Sequence, residues 1–229
     1  MDCNTPDILK HFFKNTFDQQ LKNYPSKGVI ETDDEAINSY LNKLLDVPVD
    51  QFVNYIFDNY SREPIAAADV FQFSSLEDAT VNICAKIRAV NNPGMTFLEI
   101  GELLLDDDVD RKKGAYTKYG ENHIKAAELL GLAFKGEDRL YYLTFVGMML
   151  NKISEDKRNK LITRLILKNK LIMQMLLVSS KGSFDLEAFL YDLSEKTYQR
   201  RRSNVKAVVS LLEASDEYDF KSLTENIKY

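Results

Sequence analysis

Hydrophobic and polar residues recur along this chain with the period of a helix rather than a strand. In TPDILKHFFKNTFDQQLKN, Ile8, Phe12, Phe13, Phe17 and Leu21 return near helical spacing, with Thr5 placed as a cap and Pro6 at the first helical position. TDDEAINSYLNKLLDV predicts a second helix, capped by Thr32 and carrying acids in its first turn, where they complement the dipole. PVDQFVNYIFDNY predicts a third, and REPIAAADVFQF either a short fourth or a loop. Before residue 130 no stretch alternates cleanly enough to predict a strand. Residues 1–74 therefore read as a helical N-terminal region.

From Ser75 the pattern becomes more regular. SSLEDATVNICAKIRAV predicts an amphipathic helix opened by a Ser-x-x-acid cap and stopped by NNPG. MTFLEIGELLL predicts a short helix from Thr96, DDDVDRKKGA a loop, and YTKYGENHIKAAELLG a longer helix ended by Gly131. LAFKGEDRLYYLT reads as two short strands around a Lys-Gly-Glu-Asp turn. Helix, short helix, longer helix and hairpin is the order of a winged helix-turn-helix, in which the third helix enters the major groove. After SEDKRNKLITRLILKN the first three elements recur: KLIMQMLLVSSKG, SFDLEAFLYDL, then SEKTYQRRRSNVKAVVSLL capped by Ser194. YDFKSLTENIKY offers at most one weak strand in place of a wing. The expected fold is mainly α, a helical region (1–74) followed by two winged-helix-like units (75–153 and 154–229), the first with a β-hairpin wing.

Charge sharpens this division. Residues 1–110 hold 8 basic and 20 acidic side chains, a balance of −12, whereas residues 111–212 alone reach +10, within a chain of net charge −5. A local basic field of that size attracts nucleic acid, and the acidic half is left to face away or to meet a protein partner or a second copy. No apolar run approaches the ~20 residues of a membrane span, and MDCNTPDILKHFF lacks the features of a secretory signal, so a cytoplasmic, non-membrane protein is expected.

The long helix of residues 194–215 raises the sharpest question, because an acidic protein places three consecutive arginines at its head. Val205, Val208, Val209 and Leu212 fall on one face, Lys196, Gln199, Arg200, Ser203 and Lys206 on the opposite one, and Arg201 and Arg202 at the borders. Arg prefers guanine O6/N7 and Gln prefers adenine, so Gln199 and Arg200 are the candidate base readers. Lys196, Arg202, Ser203 and Lys206 are candidate phosphate contacts. Arg201, beside Val205 and Val208, is expected to snorkel and pair with Asp192 or Glu195. On the earlier long helix, Lys118 and Asn122 are candidate base readers, with Arg111, Lys112, Lys113 and Lys125 as phosphate contacts around its N-terminus. Each of these residues also has a plainer reading, as part of a solvated face.

KYGENHIKAAELLGL, YYLTFVG and TYQRRRSNVKAVVSLL together resemble the paired winged-helix DNA-binding modules attached to type II restriction endonucleases, over roughly residues 75–212. The resemblance implies binding of double-stranded DNA with a sequence preference, and the expected role is that of a transcriptional regulator or of the DNA-reading part of a restriction-type system. The nuclease domain of such enzymes has no counterpart here. The one local echo of a metal-dependent nuclease is Asp110-Arg111-Lys112 in DDDVDRKK, in a loop with no strand to hold it. His11 has no nucleophile to pair with, and His123 reads as a core histidine satisfied by its own hydrogen bonds. Cys3 and Cys84 have no metal spacing. Neither catalytic residues, nor a metal, nor a cofactor is expected. A protein–protein adaptor built on winged helices is the alternative, and a compact nuclease the remoter one.

Overall fold

The computed structural model describes residues 5–14, 34–60, 63–105, 109 and 111–229. The protein is mainly helical, and its strands among the described residues are two or three residues long. In chain order the helices begin with α1 (Thr5–Lys14), α2 (Asp34–Leu45), α3 (Val49–Asn59), α4 (Ile83–Ala89), α5 (Phe97–Leu104) and α6 (Lys113–Leu129). A hairpin of β1 (Ala133–Lys135) and β2 (Tyr141–Leu143) leads to α7 (Phe145–Met149), α8 (Glu155–Leu167) and α9 (Lys170–Ser179). Then come β3 (Phe184–Asp185), α10 (Leu186–Phe189), α11 (Glu195–Glu213), α12 (Phe220–Thr224) and β4 (Ile227–Lys228). The cap expected at Thr32, the apolar positions Phe17 and Leu21, and Asp110 with the acids of 106–108 lie outside the described residues.

Contacts gather the chain into two units, each discontinuous in sequence. The first holds the described residues of Met1–Phe13, Lys43–Phe71 and Asn159–Tyr229; the second holds those of Lys14–Asn42 and Gln72–Arg158.

In the first unit α3 buries Val49, Phe52, Val53 and Ile56, the i, i+3, i+4, i+7 stripe legible in the sequence. Phe12 of α1 meets Phe52 edge-on at 5.4 Å. α9 packs against α3 and α12, and α12 also touches α11, whose Val205, Val208, Val209 and Leu212 are all buried as the pattern predicts. Two expectations need correcting. SFDLEAFLYDL forms only the four-residue α10, because Phe184 and Asp185 are drawn into parallel pairing with Ile227 and Lys228, and Asp185 caps the helix at the Ala188 amide. Ser194 occupies the N-cap position of α11, but its hydroxyl bonds the Thr197 hydroxyl at 2.9 Å instead of a backbone amide.

In the second unit the Ser75 hydroxyl accepts from the Asp78 amide at 3.1 Å, as the cap motif predicts, and a π-helical turn at Asp78–Asn82 leads into α4. Asn91 and Asn92 take left-handed backbone conformations, φ 64° and 48°, which end the helix. The buried Asn92 amide then pairs with the Leu143 backbone, accepting at 2.8 Å and donating at 3.3 Å. Thr96 and Glu99 form a reciprocal capping box on α5. Met95, in a stretch with no expected strand, exchanges both backbone bonds with Tyr141, at 3.1 and 2.9 Å. A single bridged residue leaves no alternation for a pattern to reveal. α5 and α6 approach backbone to backbone: a Cβ on Gly120 would stand 2.0 Å from the Phe97 carbonyl oxygen, and one on Gly101 would stand 1.9 Å from that of Tyr116. α6 begins at Lys113, a turn earlier than the pattern suggests, and is followed past its C-cap Leu130 by Gly131, whose φ of 70° suits a residue without Cβ.

Candidate nucleic-acid interface

The buried stripe of α11 fixes its rotation, and with it the face that looks outward. Lys196, Gln199, Arg200, Ser203 and Lys206 are all exposed. Lys196 and Arg200 make no hydrogen bond or ion pair among the described residues, so their charges are uncommitted. Lys206 extends over the Tyr229 ring, 4.9 Å from its centroid. The Ser203 hydroxyl turns back to the Gln199 carbonyl at 3.1 Å. Gln199 is held at both ends, donating to Glu195 Oε1 at 2.7 Å and accepting from Arg202 Nη1 at 3.3 Å. Reading a base from this position requires those two bonds to open.

The two border arginines behave differently from Arg200. Both are half-buried, with Nε atoms that are buried and unpartnered among the described residues. Arg201 donates through Nη1 to the Val70 carbonyl, not to the carboxylate of Asp192 or Glu195 expected from the sequence. Val70, just after the short turn of Ala67–Asp69, brings its carbonyl within reach there, and that oxygen serves as the acceptor. Burial, and then the neighbouring Arg200 charge, pull the Arg201 pKa below its ordinary value. Arg201 is thus structural, and Arg200 is the free cation of the three.

On α6 the geometry is more self-contained. Glu121 lies between two lysines and binds both, Lys118 at 2.8 Å and Lys125 at 2.7 Å, the i,i+3 and i,i+4 partners of a helix surface. Hydrogen bonds from Lys118 and then Lys125 hold the Glu121 carboxyl below its ordinary pKa. Lys125 also reaches over the Phe97 ring at 5.5 Å. Asn122 is half-exposed and has no hydrogen bond among the described residues. Lys112 is the N-cap residue and Lys113 the first of the helix, both exposed; Arg111, just before them, is half-exposed and donates to the Val109 carbonyl at 3.5 Å.

The inner side of α6 is anchored by a polar network. His123 is fully buried, Nδ1 lying 2.7 Å from the Tyr119 carbonyl and Nε2 3.4 and 3.3 Å from the Ser74 and Ser75 amides. Since the carbonyl can only accept and the amides can only donate, the ring is neutral with its proton on Nδ1. Burial holds its pKa below 6.5. This is the satisfied core histidine that the sequence predicts. The Tyr119 hydroxyl donates to Asp78 at 2.5 Å. Burial pushes the Asp78 carboxyl up, but bonds from Asn82 and Tyr119 outweigh it and hold the pKa below the ordinary value.

The two helices therefore offer different surfaces, one with unpaired cations and one with cations neutralised by a central acid. The pairing on α6 was visible in the spacing Lys118, Glu121, Lys125; the stacking of Tyr229 on Lys206 had no local signal. Among the described residues no group of His, Cys, Asp or Glu is placed to hold a metal ion, and no helix is long and apolar enough to cross a membrane. No family model, curated protein or solved structure matches the chain. The functional reading accordingly rests on the chemistry of these surfaces.

Proposed function

We propose that this protein binds double-stranded DNA with a sequence preference, as a transcriptional regulator or as the DNA-reading component of a restriction-type system. The observation that carries the reading is the outer face of α11, where Lys196 and Arg200 stand exposed and unpaired beside Ser203 and Lys206. Unpaired cations on a rigid helix bind a polyanion at no cost in broken ion pairs. Arg200 lies in the second turn, where a recognition helix meets base edges.

The order of elements supports the same reading. In residues 78–143 a helix is followed by the bridged Met95, α5, α6 and a hairpin, the sequence of parts in a winged helix. α9, β3, α10 and α11 repeat the first four, with α12 and β4 in place of the hairpin. In this reading α11 is the principal recognition helix, and α6 contributes through Lys112 and Lys113 at its N-terminus and through Asn122.

The test is a fluorescence-anisotropy titration on random and selected duplexes across a salt series. About six phosphate contacts give a log–log slope near −5, each contributing about −0.9. A flat salt response, or no binding at ~50 mM salt, would overturn the proposal and favour the adaptor.

A further inference from the structure

At the junction of β3, α10 and the start of α11 lies a cleft of about 530 Å³ whose wall carries three carboxylates, Asp185, Glu187 and Glu195, and no lysine or arginine. We propose that this cleft is a binding site for an organic cation, an alkylammonium or guanidinium group on a short aliphatic stem.

The carboxylates are only partly engaged. The Glu187 carboxylate makes no hydrogen bond or ion pair among the described residues. Asp185 spends Oδ1 on the Ala188 amide at 2.9 Å, and Glu195 spends Oε1 on Gln199 at 2.7 Å; each retains its second oxygen. Acids alone would be an ordinary solvated rim. The second observation is Tyr198, which lines the same cleft, is 3% exposed, and has a buried hydroxyl with no partner among the described residues. Buried hydroxyls are normally satisfied, and one left open is unusual. Burial raises the Tyr198 pKa, the charges of Glu187, Asp185 and Glu195 raise it further, and Arg202 on the next turn of α11 opposes them. The phenol stays neutral and keeps an oxygen lone pair for an incoming N–H.

The rest of the lining selects the ligand class. A negative wall excludes anions. The acids are not grouped so as to hold a metal ion, which calls for a cation with directional N–H donors. Leu190 and Leu193 give an apolar surface for a methylene stem. Tyr191, 80% exposed, presents an aromatic ring at the cleft wall for cation–π contact. The volume lies in the range of small-molecule sites, about 300–1,000 Å³.

Such a group belongs either to a free small cation or to an arginine or lysine side chain of a peptide. Calorimetric titration of the full chain at low ionic strength, without DNA, uses agmatine in one arm and the blocked tripeptide Ala-Arg-Ala in the other. Saturable one-to-one binding of agmatine with Kd below ~1 mM is expected, weakened about tenfold by Glu187→Gln and by Tyr198→Phe, the equivalent of one charge-assisted hydrogen bond. Butanol, which lacks the charge, should not bind. A tripeptide at least tenfold tighter than agmatine assigns the site to a peptide side chain; equal or weaker binding assigns it to a free cation. Absence of binding by both probes at ~10 mM, or an affinity unchanged in Glu187→Gln, would overturn the proposal. Glu187 is exposed, so that variant decides even where Tyr198→Phe fails to fold. Because no DNA is present, either outcome leaves the DNA reading to its own test.

Discussion

The Arg164 guanidinium meets the Glu217 carboxylate along two edges, Nη1 to Oε2 at 2.8 Å and Nη2 to Oε1 at 3.0 Å. Arg164 is 1% exposed; its Nη atoms also reach the carbonyls of Lys160, Leu45 and Val47, while Nε is buried with no partner among the described residues. The Phe52 ring lies 5.3 Å from the guanidinium carbon. One side chain thus ties α8, the end of α2 and the turn before α12 together inside the first unit. Such a buried charge is stable only while the carboxylate opposite it is in place.

Glu217→Ala leaves that charge with carbonyls alone and should cost about 3–5 kcal/mol in urea denaturation. Lys118→Ala, which breaks an exposed pair, should cost about 0.5 kcal/mol. Equal losses would show that the buried pair does not anchor the unit.

The close approach of α5 and α6 makes two glycines of one helix respond in opposite directions. Gly120→Ala forces a methyl into the Phe97 carbonyl and should destabilise by at least about 1–3 kcal/mol, because the obstacle is backbone that cannot rotate away. Gly114→Ala, where a Cβ meets nothing within 4 Å, should stabilise by up to about 1 kcal/mol through helix propensity. Thermal melts of both variants check the contrast; a neutral Gly120→Ala would mean the helices can separate freely.

His123 sets an acid limit on stability. Its folded pKa is held below 6.5 by burial, and the unfolded ring titrates near 6.5. Above that pH both states are neutral and the full stability is present. As pH falls below 6.5 the unfolded state takes up the proton first, so stability drops by at most about 1.4 kcal/mol per pH unit until the folded pKa is reached. The Asp78 charge opposes the shift and narrows the window. Urea titrations between pH 8 and 5 should show the fall, and His123→Gln should remove it. Unchanged stability across that range would mean the ring is not neutral in the fold.

Arg200, Arg201 and Lys206 of α11 should separate in binding and melting assays. Arg200→Ala should cost about 1–3 kcal/mol on a selected site and less on random duplex. Lys206→Ala should weaken all sequences alike and lower the salt slope by about 1. Arg201→Ala removes the bond to the Val70 carbonyl and should lower the melting temperature. Full stability with lost specificity in Arg201→Ala would show the helix to be read from the wrong face.

Glu121 offers a gain of function. Glu121→Gln frees Lys118 and Lys125 from their ion pairs, so DNA affinity should rise and the salt slope should steepen by about 1–2. Unaltered binding would remove α6 from the interface and leave α11 as the sole reader.

The sequence by itself determined the helices and their faces. α3 and α11 bury the stripes their spacing requires, Thr96 and Gly131 bound α5 and α6, and the hairpin stands at its turn, because these signals act over one or two turns of chain. The outward placement of Lys196, Arg200 and Lys206 follows from the same period. What lies far apart in sequence was decided only by tertiary structure. Met95 becomes a bridge because Tyr141 offers it a backbone edge, and β3 shortens α10 because β4 arrives beside it. Arg201 takes a carbonyl 131 residues away, Arg164 meets Glu217 across 53, and the Tyr198 hydroxyl is enclosed with no partner. A hydrophobic period says which side of a helix turns inward; which atoms wait there depends on segments that no local pattern can see.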